Sequence, residues 1–150
     1  MYTHILLPID LQERDHRPME TAVHAAVDLC RLYGAQLHVL TVVPDLGMPS
    51  VGQYFPPEAE ERIVHDAEHN LHDLVNQLIP EDIEVQHLVA QGTVYRRILH
   101  MAEKVGADLI IMPAHRTRFA DYLLGSNASK VVRHAKCSVH VLRISIQCKE

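Results

Sequence analysis

The residues best suited to chemistry cluster late in the chain. Gly125, Ser126 and Asn127 stand in the run Leu123-Leu124-Gly125-Ser126-Asn127-Ala128-Ser129, just after a loop carrying His115, Arg116 and Arg118. That set of residue types suits a phosphate. The first amides of a helix have no acceptor within the helix, and the helix dipole favours negative charge at that end. A glycine lets backbone approach a ligand that a Cβ would displace. The hydroxyls of Ser126 and Ser129 and the amide of Asn127 add donors, and arginines match phosphate oxygens in the nearby loop. Asp10, at the end of the first apolar run, is a second candidate. A carboxylate there can accept hydrogen bonds from ribose hydroxyls or an adenine amine, or help hold a metal near phosphates. Locally, plainer readings stand beside these: Gly-Ser as an ordinary helix start, the arginines as a solvated loop, Asp10 as a turn cap.

The elements that would position these residues alternate along the chain. Tyr2–Ile9 is a short apolar run. Pro18–Tyr33 carries Met19, Ala22, Val23, Ala26, Val27, Leu29 and Cys30 at helical spacing, with Pro18 suited to the first turn and Gly34 to the stop. Gln36–Val43 reads as a second strand. Asp45–Pro57, rich in proline and glycine, reads as a long surface loop. Glu58–Leu78 is an amphipathic helix, Glu84–Ala90 a strand, Val94–Val105 a helix and Asp108–Met112 a nearly continuous apolar strand of the kind buried on both faces. Ser126–His134 and Ser138–Arg143 complete the pattern as helix and strand. Strands alternating with helices imply a parallel sheet covered on both faces, here a single doubly wound α/β domain over residues 1–150. In such sheets ligands bind beyond the strands' carboxyl ends. Those ends, Pro8–Asp10, Val42–Pro44, Gln91–Gly92 and Met112–Arg118, converge on the helix start at Gly125.

Composition narrows the function classes. A formal net charge of −5 argues against general nucleic-acid affinity, which needs a basic face. No stretch approaches the length of a membrane span, and the first residues do not read as a signal peptide. Cys30, Cys137 and Cys148 are odd in number and scattered, which suits a reducing, cytoplasmic setting. Among the twelve histidines, His65, His69 and His72 fall at i, i+4 and i+7. They lie opposite Ala67, Leu71 and Leu74, so they read as a solvated face and no metal is assigned to them. There is no P-loop lysine, no nucleophile elbow and no H-E-x-x-H pair, and no residue is assigned a catalytic role.

Several segments resemble the universal stress proteins, and the resemblance covers nearly the whole chain. It rests on Ile5-Leu6-Leu7-Pro8-Ile9-Asp10, on Leu37-His38-Val39-Leu40-Thr41-Val42, on Asp108-Leu109-Ile110-Ile111-Met112, and above all on the block from Tyr122 to Arg143. The last block is most similar to the small single-domain bacterial branch called F and G. The resemblance implies a five-stranded parallel sheet of order 3-2-1-4-5 with four helices, and a homodimer through Ser138–Arg143, with a tetramer as the next possible level of pairing. It also implies ATP, with Mg2+, as the cofactor. On that match Pro8, Ile9 and Asp10 face the nucleoside, Val42 meets adenine, Met112 flanks the ribose, and Gly125, Ser126 and Asn127 hold phosphate.

The family's glycine motif is incomplete here. Pro113 and Arg116 stand where the first two glycines belong, and the spacing to Gly125 is one residue short. Proline has no N–H to give. His115, Arg116 and Arg118 are the residues placed to make up the loss by side-chain contacts. The function implied is a cytoplasmic stress-response regulator that binds ATP and changes the surface it offers an unnamed protein partner. Asp45–Pro57 and the region of Asp121 would be its movable parts. The alternatives are a slow ATPase or self-phosphorylating enzyme, with Ser126 and Ser129 as acceptors, and a dimeric interaction protein without nucleotide.

Overall fold

A computed structural model of the chain describes residues 1–43, 45, 57–114 and 125–143. The expectations for residues 46–56, for His115, Arg116, Arg118 and Asp121, and for Cys148 lie outside these described residues. The described elements run β1 (His4–Pro8), α1 (Arg17–Tyr33), β2 (Gln36–Val43), α2 (Pro57–Leu78), β3 (Val85–Gln91), α3 (Val94–Val105), β4 (Leu109–Pro113), α4 (Ser126–His134) and β5 (Ser138–Leu142). Helix α1 buries Met19, Ala22, Val23, Ala26, Val27 and Cys30, the stripe its spacing demands. It stops at Gly34, whose φ of +66° lets its N–H turn back to the Cys30 carbonyl. Burial pushes the Cys30 thiol up to about 11, so at neutral pH it is a small core residue and not a nucleophile.

All pairings in the five-stranded sheet are parallel, in the order β3-β2-β1-β4-β5. Successive residues of the central strands feed opposite faces. On one side Ile5, Leu7, Leu37, Val39, Leu109 and Ile111 pack under α1 and α2, against Val23, Ala26, Leu71 and Val75. On the other, Leu6, Leu40, Ile110 and Met112 pack with Ile98 and Met101 of α3 and with Ala128 and Val131 of α4. Leu6, Leu40 and Ile110 are fully buried. Side chains of this kind contribute about 1.5–3 kcal/mol each through the area removed from water. Among the described residues, no helix is long and apolar enough to cross a membrane.

The strand order reverses between β1 and β4. Their register covers Ile5↔Leu109 and Leu6↔Ile110 and then ends, whereas β1 and β2 stay paired from His4↔Gln36 to Pro8↔Leu40. At the amino end the two strands are clasped by Asp108. Its carboxylate accepts the Thr3 N–H at 2.9 Å, the Thr3 hydroxyl at 2.8 Å and the His4 N–H at 3.2 Å. Partial burial pushes this carboxyl up, but the hydrogen bonds from Thr3 and His4 outweigh it and leave the carboxyl below its ordinary value. Engagement of Thr3 in the clasp accounts for β1 starting later than the apolar run predicts.

Two imidazole pairs lie against β2 and β3, one with His4 of β1 and one with His72 of α2. His38 is a polar residue inside the core; its Nε2 lies 3.0 Å from His4 Nδ1, and its Nδ1 bonds to Gln86 Oε1. With the Gln86 oxygen as acceptor, His38 Nδ1 carries the proton and His4 Nδ1 donates to His38 Nε2. On the opposite face the rings of His72 and His87 meet edge to face, with centroids 5.2 Å apart.

Candidate functional site

The carboxyl ends of β1 and β4, where the strand order reverses, carry or adjoin several of the sequence-derived residues. Pro8 ends β1 half-buried, and Ile9 follows with its N–H on the Leu40 carbonyl at 2.7 Å. The Ile9 side chain is buried in the core under α1, so what this residue can offer a ligand is main chain. Asp10 is exposed, and its Oδ1 accepts the Gln12 N–H at 2.9 Å, an Asx turn. The turn-capping role is therefore real, and it also fixes the direction of the carboxylate. Val42 and Met112 lie on the α3/α4 side of the sheet. Val42 is half-buried, whereas the Met112 side chain is part of the core. Pro113 ends β4 opposite Leu142, and the next N–H, of Ala114, donates to the Leu142 carbonyl at 2.7 Å.

Gly125 begins α4 with φ +79° and ψ 158°. L-residues essentially never occupy that region. No side chain caps the helix there, and no acidic residue lies in its first turn. Ser126 and Asn127 are exposed beside it, and Ala128 anchors the turn in the core. The first amides of α4 are thus presented at the sheet's carboxyl edge by a backbone conformation reserved for glycine.

A cluster that motif reading passes over stands next to this helix start. Helix α3 also begins without a side-chain cap and without an acid in its first turn; its first four residues are Val94, Tyr95, Arg96 and Arg97. Cations at that end oppose the helix dipole. By contrast, the first turn of α1 carries Glu20 and that of α2 carries Glu58 and Glu60. The Arg96 Nε donates to the Tyr95 hydroxyl at 3.0 Å, and its guanidinium carbon lies 5.7 Å from the Tyr95 ring centroid. From α4, Lys130 places its Nζ 4.7 Å from the same centroid. The hydrogen bond from Arg96, with the charges of Arg96 and Lys130, pulls the Tyr95 phenol below its ordinary value against the opposing effect of burial. Arg97 leans on Gly92, which has φ +133°; a Cβ there would sit 3.4 Å from Arg97 Nε. That Nε is buried and has no hydrogen-bond partner among the described residues. Unpaired donors and cations at one sheet edge fit an anionic group. The sequence signal for the cluster is two consecutive arginines in a first helical turn that lacks acids.

Other features of the described residues do not form a second centre. His69 pairs with Asp73 at 3.4 Å and His72 turns to His87, so the helical histidines do not share a target. No group of three or more His, Cys, Asp or Glu side chains among the described residues is arranged to hold a metal ion. At the opposite edge of the sheet, a cavity of about 210 Å³ lies between the ends of α3 and α4, with Ile110 and Cys137 in its lining. Lys136 and Glu103, both in that lining, pair at 3.0 Å.

Comparison with known proteins agrees with this architecture. Residues 1–143 match the model of the universal stress protein family. Universal stress protein G of Shigella flexneri is 31% identical over 145 residues, which is 95% of this chain and 100% of that protein. Among solved structures, the hypothetical protein MJ0577 superposes with a TM-score of 0.77 at 25% identity, covering 97% of this chain and 98% of the other. A universal stress protein from Archaeoglobus fulgidus in complex with dAMP superposes with a TM-score of 0.63 at 23% identity, covering 93% of this chain and 97% of the other. The parallel 3-2-1-4-5 sheet and the match along almost the full length lead to one assignment: this chain belongs to the universal stress protein family.

Proposed function

We propose that this chain binds an adenine nucleotide, ATP with Mg2+, in the crevice between β1 and β4. We further propose that it acts in the stress response by changing the surface it offers a protein partner when the nucleotide is bound. The observation that carries the reading is Gly125, a glycine-only backbone at the uncapped start of α4, the helix that follows β4 at the sheet's topological reversal. The A. fulgidus relative, solved with dAMP, supports an adenine nucleotide as the ligand class.

In this reading Gly125, Ser126 and Asn127 hold phosphate through main-chain N–H groups, hydroxyl and amide. Asp10, oriented by Gln12, takes the ribose hydroxyls, with the main chain of Pro8 and Ile9 alongside. Val42 borders adenine, and Met112 supports the ribose from the core side. His115, Arg116 and Arg118 are assigned to the phosphates in place of the glycines that Pro113 and Arg116 displace. Mg2+ would be held by the phosphates, with Asp10 as the candidate carboxylate. The edge strand β5, with Val139 and Val141 half-buried, is the proposed seam of a cytoplasmic homodimer. A ligand signals only as far as it prefers one conformation over another, so the partner surface must differ between the two states.

Native mass spectrometry of the purified chain tests oligomer and ligand together. The expected spectrum shows twice the 17.0 kDa chain mass plus one adenine nucleotide per protomer after incubation with MgATP. A monomer with no added mass at millimolar MgATP refutes both parts.

A further inference from the structure

We propose that Arg96 and Lys130, gathered on the Tyr95 ring, clamp the terminal phosphates of a nucleoside polyphosphate and so set the site's preference for phosphate-chain length. The inference deepens the nucleotide reading above and rests on it. Its footing is the cations, not the helix ends. Three other described cations, Arg17, Arg31 and Lys136, pair with the carboxylates of Asp15, Asp82 and Glu103. Arg96, Arg97 and Lys130 pair with no carboxylate among the described residues, a state they share with Arg14, Arg62, Lys104, Arg133 and Arg143; what sets them apart is that two of them meet on one aromatic ring.

Two cations share one ring instead, at 5.7 Å and 4.7 Å from its centroid. Each is attracted to the ring while they repel one another, so an anion that contacts both would relieve that repulsion. Its position suits the end of a phosphate chain. Lys130 follows Ser126 by four residues and so lies over it on the same face of α4, one turn from the proposed phosphate cradle. Tyr95 and Arg96 bring the start of α3 to that face. Arg97, with its unpartnered Nε against Gly92, adds a further donor on the same side of the sheet. Adenosine ends short of this cluster, a monophosphate reaches the start of α4, and a triphosphate extends to Arg96 and Lys130.

The test is calorimetric titration of the full chain with adenosine, AMP, ADP and ATP, each in EDTA and in Mg2+. The variants are Arg96→Gln, Lys130→Gln and their double, with Lys136→Gln as the control cation from the far edge. The wild type is expected to tighten from AMP to ATP. Each clamp variant is expected to lose about tenfold in ATP affinity, the usual scale of a charge-assisted contact, while adenosine stays within about twofold and Lys136→Gln changes nothing. A spectroscopic readout separates contact from fold support: ATP should shift the Tyr95 phenol titration back upward in the wild type and not in Lys130→Gln. Equal losses for adenosine and ATP in the clamp variants would show a structural role and overturn the clamp. Equal affinity of the wild type for AMP and ATP would overturn the clamp and leave the nucleotide reading standing. Failure of the wild type to bind any of the four ligands would overturn both.

Discussion

Replacing Gly125 by alanine separates backbone strain from ligand binding, because the fold supplies its own controls. Gly34 and Gly106 end α1 and α3 in the left-handed region, at φ +66° and +69°, and a Cβ at either would meet nothing within 4 Å. Alanine at those two positions costs about 1–2 kcal/mol of left-handed strain, offset in part by the stiffer unfolded chain. Gly125 sits at φ +79° and ψ 158°, outside even that region. Alanine there costs on the order of 2–3 kcal/mol if the backbone holds its course. If the backbone instead relaxes to negative φ, the strain is relieved, but the first amides of α4 turn away from the crevice. The expected pattern in urea unfolding and ATP titration is therefore asymmetric. Gly34→Ala and Gly106→Ala lose stability and keep wild-type affinity. Gly125→Ala either loses more stability than both or loses at least about tenfold in ATP affinity, the latter equal to about 1.4 kcal/mol. A Gly125→Ala protein as stable as Gly34→Ala that binds ATP within twofold of wild type would refute the reasoning.

Two further predictions concern stability. Burial holds the His38 imidazole below its ordinary value of 6.5, against a smaller upward pull from Gln86, and burial with the nearby His72 does the same to His87. The unfolded chain therefore takes up protons first. The melting temperature should fall as pH drops below about 6.5 and level off once pH passes the folded values, and His38→Gln should flatten part of that slope in a thermal-shift series. An unchanged slope in the His38→Gln, His87→Gln double variant would exclude the two histidines as its source. Asp108→Asn removes the charge from a carboxylate that accepts three hydrogen bonds. It should cost about 1–2 kcal/mol in urea unfolding, less than a buried charged bond because the site is partly solvated. Since this carboxyl titrates below its ordinary value in the fold, its contribution is intact above about pH 4 and disappears as pH falls through the folded value.

Periodicity and punctuation made the fold legible. The bounds of β2, α3 and α4 coincide with those read from the apolar spacing, because glycine, threonine and proline mark their ends. β1 is shorter than its apolar run because Thr3 is taken up by Asp108, a partner 105 residues away that no local pattern reveals. Gly125, Ser126 and Asn127, the residues proposed for phosphate, stand at the start of α4, as their local pattern predicts. What the sequence hid was the Tyr95–Arg96–Lys130 cluster. Its members lie on two helices that only tertiary packing brings side by side, and each alone looks like an ordinary solvated residue. His38 was equally opaque: within an apolar strand it gives no sign that His4 and Gln86 will satisfy its two ring nitrogens.

The Asp108 clasp has a mechanical consequence. Strands β1 and β4 are pinned where they start and part company after two register pairs. They resemble the legs of a compass whose pivot is the carboxylate. Any spreading that a guest molecule induces must grow with distance from that pivot, so the tips at Pro8 and Pro113 move furthest while the far edge of the sheet stays still. Such a lever would turn a small event between the tips into a change of angle between the two halves of the sheet, β2 and β3 riding with one leg and β5 with the other, while α1, packed across both, limits how far they open.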